Sequence, residues 1–121
     1  MTDARPIAVV DDDTYLRETL GELLFEEGYE AQLFENGRKA LDFLRSGGRP
    51  KLILLDLMMP EMNGWQFREA QLQDAELKDI PVVVMTASRG FDGHAIAAQE
   101  ILYKPIGLGE LMEAVARNAR G

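Results

Sequence analysis

The sequence predicts a single α/β domain of the doubly wound (βα)5 type, in which a five-stranded parallel sheet carries helices on both faces. Two observations predict this fold. Short, continuously apolar runs indicate strands that are buried on both faces of a sheet. Amphipathic helical patterns lie between these runs. Because nothing resembles a linker or an internal repeat, we expect residues 1–121 to form one domain with no output domain attached.

Four apolar runs and one weaker segment predict the strands. They are Ile7–Val10, the weaker Glu30–Phe34, Leu52–Leu55, Val82–Met85 and Ile101–Tyr103. In the weaker segment, Ala31 and Leu33 would share one face of the strand.

Helical periodicity fills the intervals between the strands. The apolar stripes are Leu16, Leu20, Leu23 and Leu24; Ala40, Leu41 and Leu44; Trp65, Phe67 and Ala70; and Leu108, Leu111, Met112 and Val115. We expect Asp13 or Thr14 to cap the first helix and Gly28 to end it. Asn36 precedes the second helix, and the third is expected over about Gly64–Asp74.

Composition excludes several classes of function. The net charge of -8 is spread along the chain without a Lys/Arg stripe, which argues against direct binding to nucleic acid or to an anionic membrane. We therefore expect protein partners. No apolar run has the length of a bilayer span and the first residues lack a signal-peptide core, so a cytoplasmic location is expected. The absence of cysteine excludes disulfides, thiolate metal sites and cysteine nucleophiles.

Polar residues end four of the predicted strands. Asp11–Asp13 follow the first strand, Asp56 the third, Thr86 the fourth and Lys104-Pro105 the fifth. In open α/β sheets, ligands bind beyond the carboxyl ends of the strands. If two of the first acids and Asp56 converge, each pair repels by about 3 kcal/mol at an effective dielectric constant near 20, so a cation must compensate. Mg²⁺ fits the oxygen ligands, and Mn²⁺ could substitute.

The residue types indicate phosphoryl chemistry. A carboxylate can attack phosphorus, a metal and Lys104 can neutralise the developing oxyanions, and Thr86 can donate a hydrogen bond to the product. Taken singly, Asp11–Asp13 could be turn and capping acids, and Asp13 is expected to be only that. Asp56 is the best acceptor, because a carboxylate after four buried aliphatic residues requires a partner or a metal.

The chain contains four ordered blocks of sequence, Val9–Asp13, Leu54–Gly64, Met85–Ala87 and Tyr103–Pro105. Together these blocks resemble the signatures of bacterial response-regulator receiver domains. The resemblance spans nearly the whole chain, and it implies a flavodoxin-like sheet in the order 2-1-3-4-5. It also implies that Asp56 accepts a phosphoryl group from a sensor histidine kinase, a histidine phosphotransfer protein or a small donor such as acetyl phosphate. The domain would then signal to a protein target by changing shape.

The resemblance further implies a role for each residue at the metal. Asp12 and Asp56 would bind Mg²⁺ directly together with the backbone carbonyl of Met58, while Asp11 would act mainly through a bound water.

The resemblance also implies the roles of the residues around the phosphoryl group. Lys104 would contact its oxygens, with a cis bond to Pro105, and Thr86 would move toward it. Met58 and Ser88 would flank the path of the hydrolytic water and tune the lifetime of the phosphoryl group.

The sequence departs from the family in the region that switches. Many receivers carry an aromatic residue where this chain has Ile101, and Tyr103 on the same strand face is a candidate substitute. The stretch from Thr86 to Lys104 is short by about four residues, or one helical turn. We therefore expect a shortened fourth helix at about Ala95–Gln99. Our hypothesis is that phosphorylation orders or reshapes Ser88–Glu100.

Two other functions stay open at this point. A pseudo-receiver would be a protein-binding scaffold that is never phosphorylated. A phosphatase of the haloacid-dehalogenase type also uses an aspartate nucleophile with Mg²⁺, although Asp11–Thr14 lacks its spacing. The leading prediction is a signalling domain that catalyses only its own phosphorylation and dephosphorylation. His94, beside one acid, offers too few ligands for a metal site.

Overall fold

The computed structural model describes residues 5–87 and 96–119, which form a five-stranded parallel sheet with helices on both faces. The strands lie in the order β2-β1-β3-β4-β5, which confirms the predicted doubly wound fold. The elements are β1 Ile7–Val10, α1 Thr14–Glu26, β2 Ala31–Phe34, α2 Gly37–Arg45, β3 Leu52–Asp56, α3 Gly64–Leu72, β4 Val82–Thr86, β5 Glu100–Tyr103 and a final helix Leu108–Asn118.

Two apolar layers fill the space between the sheet and its helices. On one face, Ala8 and Val10 of β1 belong to the cluster that includes α2 and α3. On the other face, Ile7 and Val9 belong to the cluster that includes α1 and the final helix. Successive residues of a strand point to opposite faces, so a strand covered on both sides must be apolar throughout.

Polar side chains set where three of the helices begin. The carboxylate of Asp13 accepts the backbone N–H of Leu16, so Asp13 rather than Thr14 is the cap of α1. Asn36 caps α2 in the same way, and Asn63 forms a capping box with Gln66 at α3. These side chains satisfy backbone donors that have no partner within the helix.

Two predicted boundaries differ from the structure. Helix α3 ends at Leu72 rather than at Asp74, because the chain turns there and the N–H of Asp74 bonds to the carbonyl of Gln71. The predicted helix at about 95–99 is wrong over residues 97–99. Ile96 is helical, but Ala97 has a φ of 53°, a left-handed conformation that ends the helix.

The described part of the chain contains no helix that is long and apolar enough to cross a membrane. Ser88, His94 and most of the segment in which we expect remodelling lie outside the described residues, so those predictions stay open.

Candidate functional site

The carboxyl ends of the strands bring the predicted site residues to one edge of the sheet. Asp56 is the last residue of β3 and Thr86 the last residue of β4. Asp11 directly follows β1, and Lys104 directly follows β5. Because all five strands are parallel, these residues lie at the same edge, as the sequence predicts.

Three carboxylates converge there to form what we call the aspartate cluster, made of Asp11, Asp12 and Asp56. One oxygen from each lies within 4.8 Å of the others. Asp11 and Asp56 are buried, whereas Asp12 is exposed. Carboxylate oxygens are ligands that hard divalent cations prefer, so the cluster could hold a metal ion that enters from the solvent on the side of Asp12.

The two oxygens of Asp11 are occupied by the protein itself. One accepts the backbone N–H of Asp13 at 2.9 Å, and the other accepts the ammonium of Lys104 at 2.9 Å. The guanidinium of Arg17 also donates to the backbone carbonyl of Asp11 at 2.6 Å. Asp11 is therefore held in place by neighbours on three sides.

Lys104 lies between the two buried acids. Its ammonium is 2.9 Å from Asp11 and 3.6 Å from the Oδ1 atom of Asp56. Partial burial lowers the pKa of Lys104, but the hydrogen bond to Asp11 and the charges of the aspartate cluster outweigh that effect, so the net shift is upward. The ammonium form is thus strongly favoured. The peptide bond to Pro105 is cis, as expected.

Burial and like charge shape the electrostatics of Asp56. Desolvation raises its pKa to about 6, and the nearby charges of Asp11 and Asp12 raise it as well. The charge of Lys104 and the backbone N–H of Met58, which donates to the carboxylate, oppose this rise without cancelling it. Asp56 therefore lies in a site that lacks enough positive charge for its carboxylates, which is the condition that a bound cation relieves.

The remaining predicted residues surround this centre. Thr86 is fully buried and lies opposite Tyr103 in the register of β4 and β5. The side chain of Met58 is 62% exposed beside Asp56. Ile101 packs against the apolar layer on the side of α2 and α3. Pro105 is exposed, and Ser88 is not among the described residues.

Gly64, which ends one of the four sequence blocks and starts the third helix, also shapes the loop beside Asp56. A Cβ atom at this residue would lie 2.6 Å from the backbone oxygen of Asp56 and 2.7 Å from the Cα atom of Leu57. Its N–H donates to the carbonyl of Leu57 at 2.9 Å. The loop after β3 can fold back over Asp56 only because this residue has no side chain. A glycine directly after a capping asparagine was the available signal.

Comparisons with known proteins agree with this geometry. Residues 7–116 match the family model of the response regulator receiver domain. The chain is 37% identical over 110 residues to the response regulator MprA of Mycolicibacterium vanbaalenii, covering 88% of this chain and 46% of that protein. It is 36% identical to the response regulator Rre1 of Synechocystis, covering 95% of this chain and 52% of that protein. The chain thus spans about half the length of these curated relatives.

Solved structures resemble the whole fold. The chemotaxis protein CheY4 of Vibrio cholerae superposes with a TM-score of 0.86 at 27% identity, covering 96% of this chain and 99% of that one. The response regulator TrrA of Thermotoga maritima, solved in complex with Mg²⁺-BeF, superposes with a TM-score of 0.82 at 36% identity, covering 93% and 97% of the two chains.

Proposed function

Because this chain belongs to the family of response regulator receiver domains, we propose that it accepts a phosphoryl group on Asp56 in a two-component or phosphorelay system. The observation that carries the proposal is the aspartate cluster, with its three oxygens within 4.8 Å and Lys104 at 3.6 Å from Asp56. We assign Asp56 as the acceptor because it ends the central strand β3, and because both oxygens of Asp11 already accept hydrogen bonds from Asp13 and Lys104.

The proposed transfer starts from a phosphohistidine of a partner protein or from acetyl phosphate. An oxygen of the Asp56 carboxylate attacks phosphorus, so that a P–O bond forms while the P–N bond to the histidine breaks. The electron pair of the broken bond goes to the imidazole, which takes up a proton. With acetyl phosphate, the P–O bond to the acetyl group breaks instead, and acetate leaves with the electron pair. Lys104 is already charged and close enough to neutralise oxygen charge that develops on the phosphoryl group.

The donors of the aspartate cluster fit Mg²⁺, with Mn²⁺ as a substitute. The ion would neutralise the carboxylates and the oxygens of the phosphoryl group. Asp12 is the exposed member, and we assign direct coordination to Asp12, Asp56 and the backbone carbonyl of Met58. Asp11, whose oxygens already accept from Asp13 and Lys104, would act through a water.

Three side chains are proposed to control the signal. Thr86, at the end of β4, would move toward the phosphoryl group and donate a hydrogen bond. Met58 and Ser88 would flank the path of the hydrolytic water. Tyr103 lies opposite Thr86 in the sheet register, which supports it as the residue that responds in place of an aromatic at Ile101.

We propose protein partners on both sides of the reaction. A sensor histidine kinase or a histidine phosphotransfer protein would supply the phosphoryl group, and a downstream protein would read the changed shape. The output is therefore a contact rather than turnover of a metabolite. The cytoplasmic location and the treatment of residues 1–121 as one domain without an output domain stay predictions.

The direct test is incubation of the protein with acetyl phosphate and Mg²⁺, followed by intact mass measurement. We expect one phosphoryl-sized gain in the wild type and none in Asp56→Asn. Asp42→Asn is the matched control, because Asp42 is an exposed aspartate on α2 and should leave labelling intact. An unlabelled wild type would favour a pseudo-receiver scaffold. Turnover of unrelated phosphate esters would favour a phosphatase.

A further inference from the structure

A groove of about 940 Å³ runs between α1 and β2 and shares no residue with the aspartate cluster. We call it the α1–β2 groove. Its apolar surface comes from Gly21 and Phe25 on the helix and from Ala31 and Leu33 on the strand. Phe25 is 78% exposed and Leu33 is 39% exposed. Exposed large apolar side chains that line one concavity are typical of interaction sites.

The architecture explains why this surface is uncovered. β2 is an edge strand of the sheet. On its α1 side, the described part of the chain supplies two helices, α1 and the final helix, to cover five strands. Leu33 leans onto α1 at Gly21, where a Cβ atom would be 3.4 Å from it. The floor of the groove is therefore continuous, and it lies where one more helix would extend the layer.

A row of acidic side chains, which we call the acid ladder, borders the same groove. Glu18, Glu22 and Glu26 are four residues apart on α1, and Glu30 precedes β2. All four side chains are exposed, and none of them takes part in the ion pairs of Lys39, Arg49, Lys104 and Arg117. Like charges at this helical spacing repel each other by about 0.2–0.5 kcal/mol per pair. A bound ligand that carries positive charge along one stripe would remove this repulsion.

We infer that the α1–β2 groove binds a basic amphipathic helix of a partner protein. Apolar residues of such a helix would cover Phe25 and Leu33, while lysines or arginines one turn apart would match Glu18, Glu22 and Glu26. The groove wall formed by α1 is 13 residues, or roughly 20 Å, long, which is enough for about four helical turns.

The charges argue against two other occupants. A second copy of this chain, with its net charge of -8, would bring two identical acid ladders together. An extended strand would pair with the free backbone edge of β2 and leave the acids of α1 without partners. The basic helix is the occupant that satisfies both the apolar floor and the acid ladder.

The test is an NMR titration of the ¹⁵N-labelled chain with a synthetic peptide of about 14 residues, with leucines on one helical face and lysines on the other. We expect localised shifts at the amides of Gly21, Phe25 and Leu33. Binding should weaken by about tenfold or more in Phe25→Ser and in the double variant Glu22→Gln, Glu26→Gln. Glu110→Gln, an exposed acid on the final helix, should bind like the wild type.

Three results would overturn the inference. One is shifts spread over the whole acidic surface with no loss in Phe25→Ser. Another is equal binding of a peptide in which serines replace the leucines, which would show attraction by charge alone. The third is a bound peptide that adopts an extended conformation and pairs with β2. A urea unfolding curve and phosphoryl uptake from acetyl phosphate, both like those of the wild type, would show that the groove variants fold and that the groove acts separately from Asp56.

Discussion

Two regions of the molecule, the aspartate cluster and a hydrogen-bond network around Arg68, both bury charged side chains but differ in their balance of charge. The aspartate cluster gathers three carboxylates around one ammonium, that of Lys104. On α3, the Arg68 network holds one guanidinium, 4% exposed, which donates to the carbonyls of Ile96 and Ala97 and to the side chain of Gln71. The first has an excess of like charge, and the second has a single charge surrounded by neutral acceptors.

Hydrogen bonding alone does not distinguish these two groups. Among the described residues, no buried side-chain nitrogen or oxygen lacks a hydrogen-bond partner. The difference is that like charges held close together demand a further ligand, whereas a guanidinium whose donors reach carbonyls is complete. Gln71 extends the second network to the carbonyls of Leu77 and Ile80. The aspartate cluster could therefore accept a cation, whereas the Arg68 network holds α3 against the segment before β5.

The largest expected effect on stability comes from breaking the Arg68 network. Arg68→Met would leave the carbonyls of Ile96 and Ala97 and the amide oxygen of Gln71 without their donor. Each buried group left unsatisfied costs about 1–3 kcal/mol, so the loss of the donor to three acceptors should lower the free energy of unfolding by about 3 kcal/mol or more in urea denaturation. Arg45→Met, at an exposed arginine on α2, is the control and should change it little. Equal urea midpoints for Arg68→Met and the wild type would show that the network is dispensable.

Removing a charge from the aspartate cluster should have the opposite sign. Because the pKa of Asp56 is raised to about 6 in the folded state, the folded protein binds this proton more tightly than the unfolded chain does. The resulting contribution to the free energy of unfolding is fully present below the unfolded pKa near 3.9 and is lost as pH rises through 6. In metal-free buffer, Asp56→Asn should therefore be more stable than the wild type by up to about 3 kcal/mol at pH 8.

The pH dependence of that difference is the diagnostic measurement. The free energy of unfolding of Asp56→Asn should exceed that of the wild type by less and less as pH falls from 6 toward 4. At that pH the side chain at position 56 is neutral in both folded proteins. Asp42→Asn should show no such gain, because Asp42 is exposed. A gain that is absent at pH 8, or that grows as pH falls, would contradict the electrostatic interpretation of the site.

A divalent cation should have the smallest of these effects. Mg²⁺ at ten times its dissociation constant should stabilise the wild type by about 1.4 kcal/mol, measured as a rise in thermal midpoint. Asp12→Asn should lose this response. Asp13→Asn is the matched control from the same acid run, since asparagine also caps a helix and Asp13 is not in the cluster. An equal response of Asp12→Asn and the wild type would place the ion elsewhere.

Much of the site could be predicted because its signals are local in sequence. Apolar runs that end in Asp56, Thr86 and Lys104 predict both the strands and the edge where those residues meet. The Arg68 network could not be predicted in this way. Arginine and glutamine on a helix ordinarily indicate an exposed face. The two backbone carbonyls that accept from Arg68 lie 28 and 29 residues away, at the point where the predicted helix ends after Ile96.

The sequence by itself determined the fold class and the order of acids and cation along one edge. These depend on side-chain periodicity and on contacts between near neighbours in the chain. Only the tertiary structure decided which of the two acids before Asp13 points into the site. Asp11 points inward to Lys104, 93 residues away, Asp12 stays exposed, and Asp13 caps α1. Adjacent residues at the end of a strand point in different directions, and only the packing of distant strands determines which direction meets a partner.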